Sequence, residues 1–424
     1  MPYRRSPGSF SAVLPLMAVV FVAFLVIGLA MPVLPLHVHD ELGLGTFVVG
    51  LVAGSQFASA LLTRPWAGTF SDRRGAKRAV ITGLALGNIS GLLYLLSLNP
   101  ADPIAAGAIL VSGRLLLGAA ESVIITGAVS WGMVLAGPAN TGRVIAWVGA
   151  AMFAAFAVGA PIGAALYAAQ GFVAIGIATA LAPLATVLLV APLAPVPPAR
   201  ETRPSFLHVL GAVWQPGTAS ALSSVGFGAI TAFIVLLFAS RGWSYGWLPY
   251  TVFAGVFIVA RLLLGHLPDR VGGAKVALVC LLVEATGLGL IWTAAAPAVA
   301  LLGAALTGLG YSLVYPGFGV EAMARVPGAN RGLAMGAYTA FLDLSLGLSG
   351  PLLGLVAGAA SLEAAFLCSA VAALAAVPIA LRFLKRRTSE SNGEADEDSP
   401  RHGRAHPGHR LAGSARGTEA DVGI

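Results

Sequence analysis

Twelve apolar stretches, each long enough to cross a bilayer, constrain this chain more than any other feature. They lie near residues 11–36, 46–70, 79–98, 104–127, 144–169, 172–194, 219–239, 247–267, 276–295, 298–322, 332–358 and 362–384. A helix rises 1.5 Å per residue, so about 20 apolar residues cover the roughly 30 Å hydrocarbon layer. Inside lipid every backbone N–H and C=O needs an internal partner, which a helix supplies to itself. The expectation is therefore an all-α membrane protein of twelve transmembrane helices, with little chain left for a soluble domain. Of 424 residues, 57% are hydrophobic and 10% charged, and mean hydropathy is +0.86, against about 45–50% and 25% in soluble domains. The first stretch follows Arg4 and Arg5 as a leader peptide would, but it outruns a secretory core and more spans follow at once. It is read as an uncleaved helix.

Charge is placed as topology demands. With the N-terminus assigned to the cytoplasm, seventeen of the 25 Lys and Arg residues fall in cytoplasmic loops and helix ends, and only Arg241 falls outside. Arg64, Arg114 and Arg261 lie within spans, and four more lie in the distal tail. This asymmetry predicts both termini cytoplasmic in a cytoplasmic (inner) membrane, with the lipid bilayer as constant partner. A basic excess used this way leaves no stripe for nucleic acid. Cys280 and Cys368 sit in separate apolar runs, so neither a disulfide nor a thiolate metal site is expected. No glycine-rich ATP cradle, Ser/His/Asp set or metal-spaced cluster occurs. The chain is therefore read as no enzyme and as needing no cofactor, its energy coming from an ion gradient or from the solute's own.

Domain organisation follows from the breaks. Residues 1–194 hold six spans, 195–217 form a Pro- and Arg-containing linker, 218–385 hold six more, and 386–424 are polar, with too little apolar surface to offset ordering entropy. The halves repeat: Arg64, Gly68, Asp72, Arg73, Gly75 and Arg78 return 197 residues later as Arg261, Gly265, Asp269, Arg270, Gly272 and Lys275. A weaker echo at 188 residues relates Arg143 and Gly159 to Arg331 and Gly347. Duplicated helical units are the architecture of alternating-access carriers.

The stretch from Gly68 through Asp72, Arg73, Arg74, Gly75, Lys77 and Arg78, between the second and third spans, resembles the signature loop of the major facilitator superfamily. Ala76 stands where an arginine is usual. Gly159-Ala-Pro161-Ile-Gly163 resembles the fifth-helix motif of that family's proton-coupled exporters, with Ala160 interrupting the Gly-Pro pair. Arg114 with Gly118 resembles a third motif, in which Leu117 replaces a glutamine. The run from Tyr338 to Gly354, with Gly350 and Pro351, resembles the eleventh helix of the arabinose-efflux-permease-like branch. The resemblance implies two pseudo-symmetric six-helix bundles around a central cavity. It further implies export of a small organic solute, drug, sugar-like or amphiphilic, by exchange with protons; a monomer is the default expectation. Proton-coupled import of a nutrient is the alternative; a membrane sensor or a lipid enzyme is the reading from another class.

Physical reasoning assigns roles along these motifs. Arg64, Gly68 and Asp72 recur every four residues and share a helix stripe. With Arg73, Gly75, Arg78, Arg261, Gly265, Asp269 and Arg270 they form a candidate gate, Asp72 facing the start of the eleventh helix near Gly332. Gly159, Pro161 and Gly163, and likewise Gly350 and Pro351, permit hinging or close helix packing. Ionisable groups at membrane depth are expensive and hence functional candidates. Asp343, Glu121 and Glu284 are the candidate proton-coupling acids, with Arg114 moving the proton affinity of Asp343 or Glu121. Arg114 and Glu121 lie seven apart on one face, about 10 Å from each other. Gln56, Asn88, Tyr311 and Tyr338 are candidate cavity residues.

Overall fold

The computed structural model describes residues 10–137, 141–196, 206–326 and 331–385. Twelve long helices dominate them: α1 (Phe10–Ala30), α2 (Thr46–Arg74), α3 (Ala76–Leu96), α4 (Pro103–Ala136), α5 (Thr141–Gln170), α6 (Phe172–Val190), α7 (Phe206–Ser240), α8 (Leu248–Leu264), α9 (Gly273–Trp292), α10 (Pro297–Met323), α11 (Arg331–Ala359) and α12 (Leu362–Ala375). Eleven spans are long and apolar enough to cross a membrane, the last of them continuing α12 to Lys385; α8, at 17 residues, is the shorter twelfth, continued by a small helix over Leu267–Val271. The tail proposed over 386–424 lies outside the described residues, as does the linker between 197 and 205. Residues 206–217, read from sequence as linker, are the first turns of α7.

Local chemistry explains the helix ends. Asp102 caps α4 by accepting the amides of Ile104 and Ala105, both at 3.2 Å, while Pro103 fills the first position, where no donor is needed. Gly75 breaks the chain between α2 and α3 at φ +89°, and Gly272 does the same before α9 at φ +105°. These two residues are equivalents in the repeat, so the sequence echo is also an echo of backbone conformation. Lys77 then closes the adjoining end of α6, its Nζ donating to the carbonyls of Ala191 and Leu193, each at 2.7 Å.

Packing repeats as well. In the first six helices α2 and α3 pack on α4, α1 on α5, and α3 on α6; in the last six α8 and α9 pack on α10, α7 on α11, and α9 on α12. Across the halves α2 packs on α11 and α5 on α8, again a matched pair. One apolar core runs from Phe24, Trp131 and Phe156 into Phe227 and Phe253 without a break between the halves. Small residues set the spacing, since between lipid-exposed helices packing supplies what the hydrophobic effect does not. A Cβ on Gly163 would sit 2.0 Å from the carbonyl oxygen of Leu29, and one on Gly159 2.8 Å from the backbone of Gly28. The fifth-helix motif is thus where α5 lies against α1, and α5 runs unbroken through Pro161.

Candidate functional site

We call the membrane face where α1 begins the near face and the opposite one the far face. The two halves meet most closely toward the far face. Thr46 Oγ1 at the start of α2 donates to the Gly354 carbonyl at 2.8 Å. One turn deeper Gly50 and Gly350 touch backbone to backbone, and Gly54 meets Gly347 and Pro351. Gly350 and Pro351 therefore belong to the cross-half seam.

The seam ends on charge. Arg64 Nη2 of α2 lies 2.5 Å from Asp343 Oδ2 of α11, with side chains 26% and 6% exposed. An ion pair this dry holds because each charge neutralises the other. Sequence reasoning placed Arg64 in the gate and Asp343 among the coupling acids; folding brings the two together.

Arg114 and Glu121 on α4 both reach for α2 and do not bond each other. Arg114 Nε donates to the Val52 carbonyl at 3.2 Å and Nη2 to that of Ala53 at 3.4 Å. Its Nη1 has no hydrogen-bond partner among the described residues, and Arg114 is one of the residues lining a void of about 10 Å3, room for about one water. One turn along α2, Gln56 Nε2 donates to Glu121 Oε2 at 2.7 Å. Glu121 keeps some exposure, whereas Gln56 has none. Glu284 stands apart from the seam. It is fully buried in the second half, accepts from Ser223 Oγ at 2.5 Å, and is pressed by the backbone of Gly310.

The remaining candidates divide by location. Tyr311 is buried, its hydroxyl 3.4 Å from Ser224 Oγ and its ring stacked on Phe227 at 5.7 Å. Tyr338 donates to the Tyr315 carbonyl at 2.7 Å, shares a hydrogen bond with Ser220, and stacks on Tyr315 at 4.7 Å. Asn88 instead ties α3 to α6 through the Ala180 carbonyl at 2.8 Å, within the first half. Of the gate residues, Gly68 is buried, Asp72 half-buried, and Arg73, Arg78, Asp269 and Arg270 are exposed at the near face. Gly265 caps α8, its amide bonded to the Arg261 carbonyl at 3.1 Å. The start of α11, which Asp72 was expected to approach, adjoins 327–330, outside the described residues.

Sequence reasoning missed Tyr315 and Phe257. Tyr315, on α10, shares a hydrogen bond of 2.6 Å with Thr339 and carries Tyr338 on its face. Phe153 of α5 stacks on Phe257 of α8 at 3.8 Å, an aromatic contact across the halves. Phe257 lies four residues before Arg261, so the helical period was the available signal.

Known proteins resemble this arrangement. The family model of the Major Facilitator Superfamily matches residues 16–274 and 218–415. An MFS-type transporter of Burkholderia mallei (strain SAVP1) is 44% identical over 400 residues, covering 93% of this chain and 98% of that one. An MFS-type transporter of Pseudomonas aeruginosa (strain UCBPP-PA14) is 44% identical over 367 residues, 86% of this chain and 91% of that one. Among solved structures, a D-xylose–proton symporter superposes with TM-score 0.72 at 15% identity, covering 88% of this chain and 97% of that one. The nucleoside transporter NupG superposes at 0.67 with 15% identity, covering 89% and 99%.

Proposed function

The chain belongs to the Major Facilitator Superfamily, a family of transporters, and from that premise we propose that it carries a small organic solute across the membrane by alternating access, coupled to protons through Asp343. One observation carries the reading: the Arg64–Asp343 pair bridges the two halves at the end of their shared seam. A proton on Asp343 removes the negative charge that holds Arg64. It therefore weakens a contact present only while the halves lie together here, which is what a coupling group must do. Glu121, partly exposed and bonded to the same helix, is the second acid within Coulombic reach of Asp343, Arg64 and Arg114. With the Lys and Arg residues marking the near face as cytoplasmic, the closed seam lies on the outer side.

Our reading of direction is export in exchange for protons, supported by the likeness of Gly159, Pro161 and Gly163 to the exporter motif. Import together with protons is the second reading. It is favoured by the pairing itself, since a solute that draws Arg64 away leaves Asp343 ready to take a proton. The test is a transport screen in everted membrane vesicles and intact cells, with and without a collapsed proton gradient. Export predicts gradient-dependent uptake into everted vesicles and lower cellular accumulation; import predicts the reverse. Transport indifferent to the proton gradient in wild type, or unchanged in Asp343→Asn, would overturn the coupling role.

A further inference from the structure

One side of α8 bears on which solute is carried, and this step rests on the carrier reading above, though not on its direction. Tyr250, Phe253, Ala254 and Phe257 recur at helical spacing and form a single stripe, each at most 3% exposed. Phe253 stacks on Phe227 at 5.6 Å, and Phe257 lies 5.8 Å from the Tyr311 ring, so the stripe faces the interior. Val259, Leu262 and Leu263 lie on the other side and are exposed, as lipid-facing residues are. Arg261 continues the interior stripe one turn past Phe257, yet it is exposed. Its exposure is therefore to an opening among the helices and not to lipid.

Direct contacts fix what surrounds the guanidinium. Its Nη1 donates to the Ser312 carbonyl of α10 at 2.9 Å, and its carbon lies 5.9 Å from the Phe257 ring centre. That same ring stacks on Phe153 of α5 at 3.8 Å and 24°, and Phe153 is partly exposed. Ser312 lies about 16 Å of helical rise before Met323, the end of α10, so the cation stands well inside the membrane. No carboxylate among the described residues pairs with it, whereas its repeat equivalent Arg64 has Asp343. A charge at this depth is expensive unless it is neutralised, and a carbonyl takes up one donor without supplying a negative charge. The donors left over suit a carboxylate, which a guanidinium receives through two parallel hydrogen bonds. The exposed part of Phe153 suits a flat apolar group beside it.

We propose that Arg261 binds the carboxylate of a small aromatic acid whose ring rests on Phe153 and Phe257. The acid neutralises a cation that the second half leaves unpaired. Phe153 and Phe257 belong to opposite halves, so a ring seated on them touches both. Its affinity then depends on how the halves lie, which is what a carried solute needs in order to favour one arrangement over the other.

The test titrates the full-length protein in detergent at neutral pH with benzoate, benzamide and benzylamine, three charges on one ring, and with cyclohexanecarboxylate, the same charge on a puckered ring. Expected is binding of benzoate, with benzamide and benzylamine at least about tenfold weaker and cyclohexanecarboxylate about two- to tenfold weaker. Arg261→Gln weakens benzoate by about tenfold or more, and Arg261→Lys recovers part of the loss. Phe153→Leu abolishes the preference for the flat acid over the puckered one while keeping that for benzoate over benzamide. Preference for a neutral or cationic probe, no binding of benzoate, or full affinity in a folded Arg261→Gln protein would each overturn the carboxylate site. Equal affinity for the two acids in wild type would overturn the place of the ring. The vesicle screen described above separates this inference from the carrier reading. Gradient-driven transport of other solutes, without benzoate binding, removes the acid site and leaves the carrier; benzoate bound through Arg261, with no solute moved, leaves the site and removes the carrier.

Discussion

Arg64 of α2 and Asp343 of α11 form an ion pair of 2.5 Å between the two halves, at the depth where the cross-half seam ends. Removing one partner strands the other charge in a place too dry to solvate it. In buried pairs of soluble proteins this costs about 3–5 kcal/mol, and the quarter exposure of Arg64 points to the lower end. Arg64→Gln and Asp343→Asn should therefore each lower thermal stability in detergent clearly. The double variant should cost less than the two losses added, by a coupling of about 1–3 kcal/mol in the cycle. Losses that simply add would mean that the two side chains act independently.

Glu284 carries an opposite expectation. It is fully buried and bonded to Ser223 at 2.5 Å, but it lies among α7, α9 and α10, away from the seam. Its surroundings within one half need not change when the halves rock, so it lacks the property that makes Asp343 a coupling group. Glu284→Gln keeps the shape and a hydrogen bond to Ser223. It should retain most transport and its proton dependence, whereas Glu284→Ala opens a cavity and should cost about 2 kcal/mol or more. Loss of proton dependence in Glu284→Gln would restore this residue to the coupling set.

Gly75 and Gly272 link sequence echo to backbone strain. With φ, ψ of +89°, +148° and +105°, +132°, both occupy a region closed to L side chains. The space around Gly75 is open, the nearest atom to a Cβ being the Val196 carbonyl oxygen at 3.7 Å, so a loss on substitution there is conformational rather than steric. Gly75→Ala and Gly272→Ala should each destabilise by about 1–3 kcal/mol. Gly289→Ala, in a helix with nothing within 4 Å, should be neutral or slightly stabilising. Equal stability in all three variants, measured by thermal unfolding in detergent, would remove the strain argument.

Spans, repeat and candidate residues were legible because each is a local or periodic property. Apolar length locates helices, and the 197-residue offset pairs Gly75 with Gly272 before any coordinates exist. Partnership was not legible. Sequence reasoning gave Arg114 to the coupling acids because seven residues put it on the helix face of Glu121. The folded chain instead spends Arg114 on the carbonyls of Val52 and Ala53 and brings Arg64 to Asp343. Which cation meets which acid is decided by how closely α2 and α11 approach, and that depends on glycines scattered through both helices. Asn88 shows the same limit, since a polar residue in a span reads alike whether it faces a cavity or, as here, fastens α3 to α6.

That close approach yields the last prediction. A Cβ on Gly50 would lie 1.9 Å from the Gly350 carbonyl oxygen, and one on Gly350 2.3 Å from that of Gly50. The obstacle on both sides is backbone, which cannot rotate away as a side chain does. Gly50→Ala or Gly350→Ala therefore wedges α2 from α11 only while the far-face seam is closed; once the halves part there, the added methyl meets no such atom. Overpacking of this kind costs about 1–3 kcal/mol, and placed on one of two states it shifts their ratio by about 5- to 150-fold toward the form open at the far face. Alkylation of a cysteine at Thr46 by a membrane-impermeant reagent should therefore speed up in either variant, while a cysteine at Leu98, already exposed on that face, should react as before. Unchanged labelling at Thr46 in folded Gly50→Ala and Gly350→Ala proteins would show that this seam does not open during the cycle.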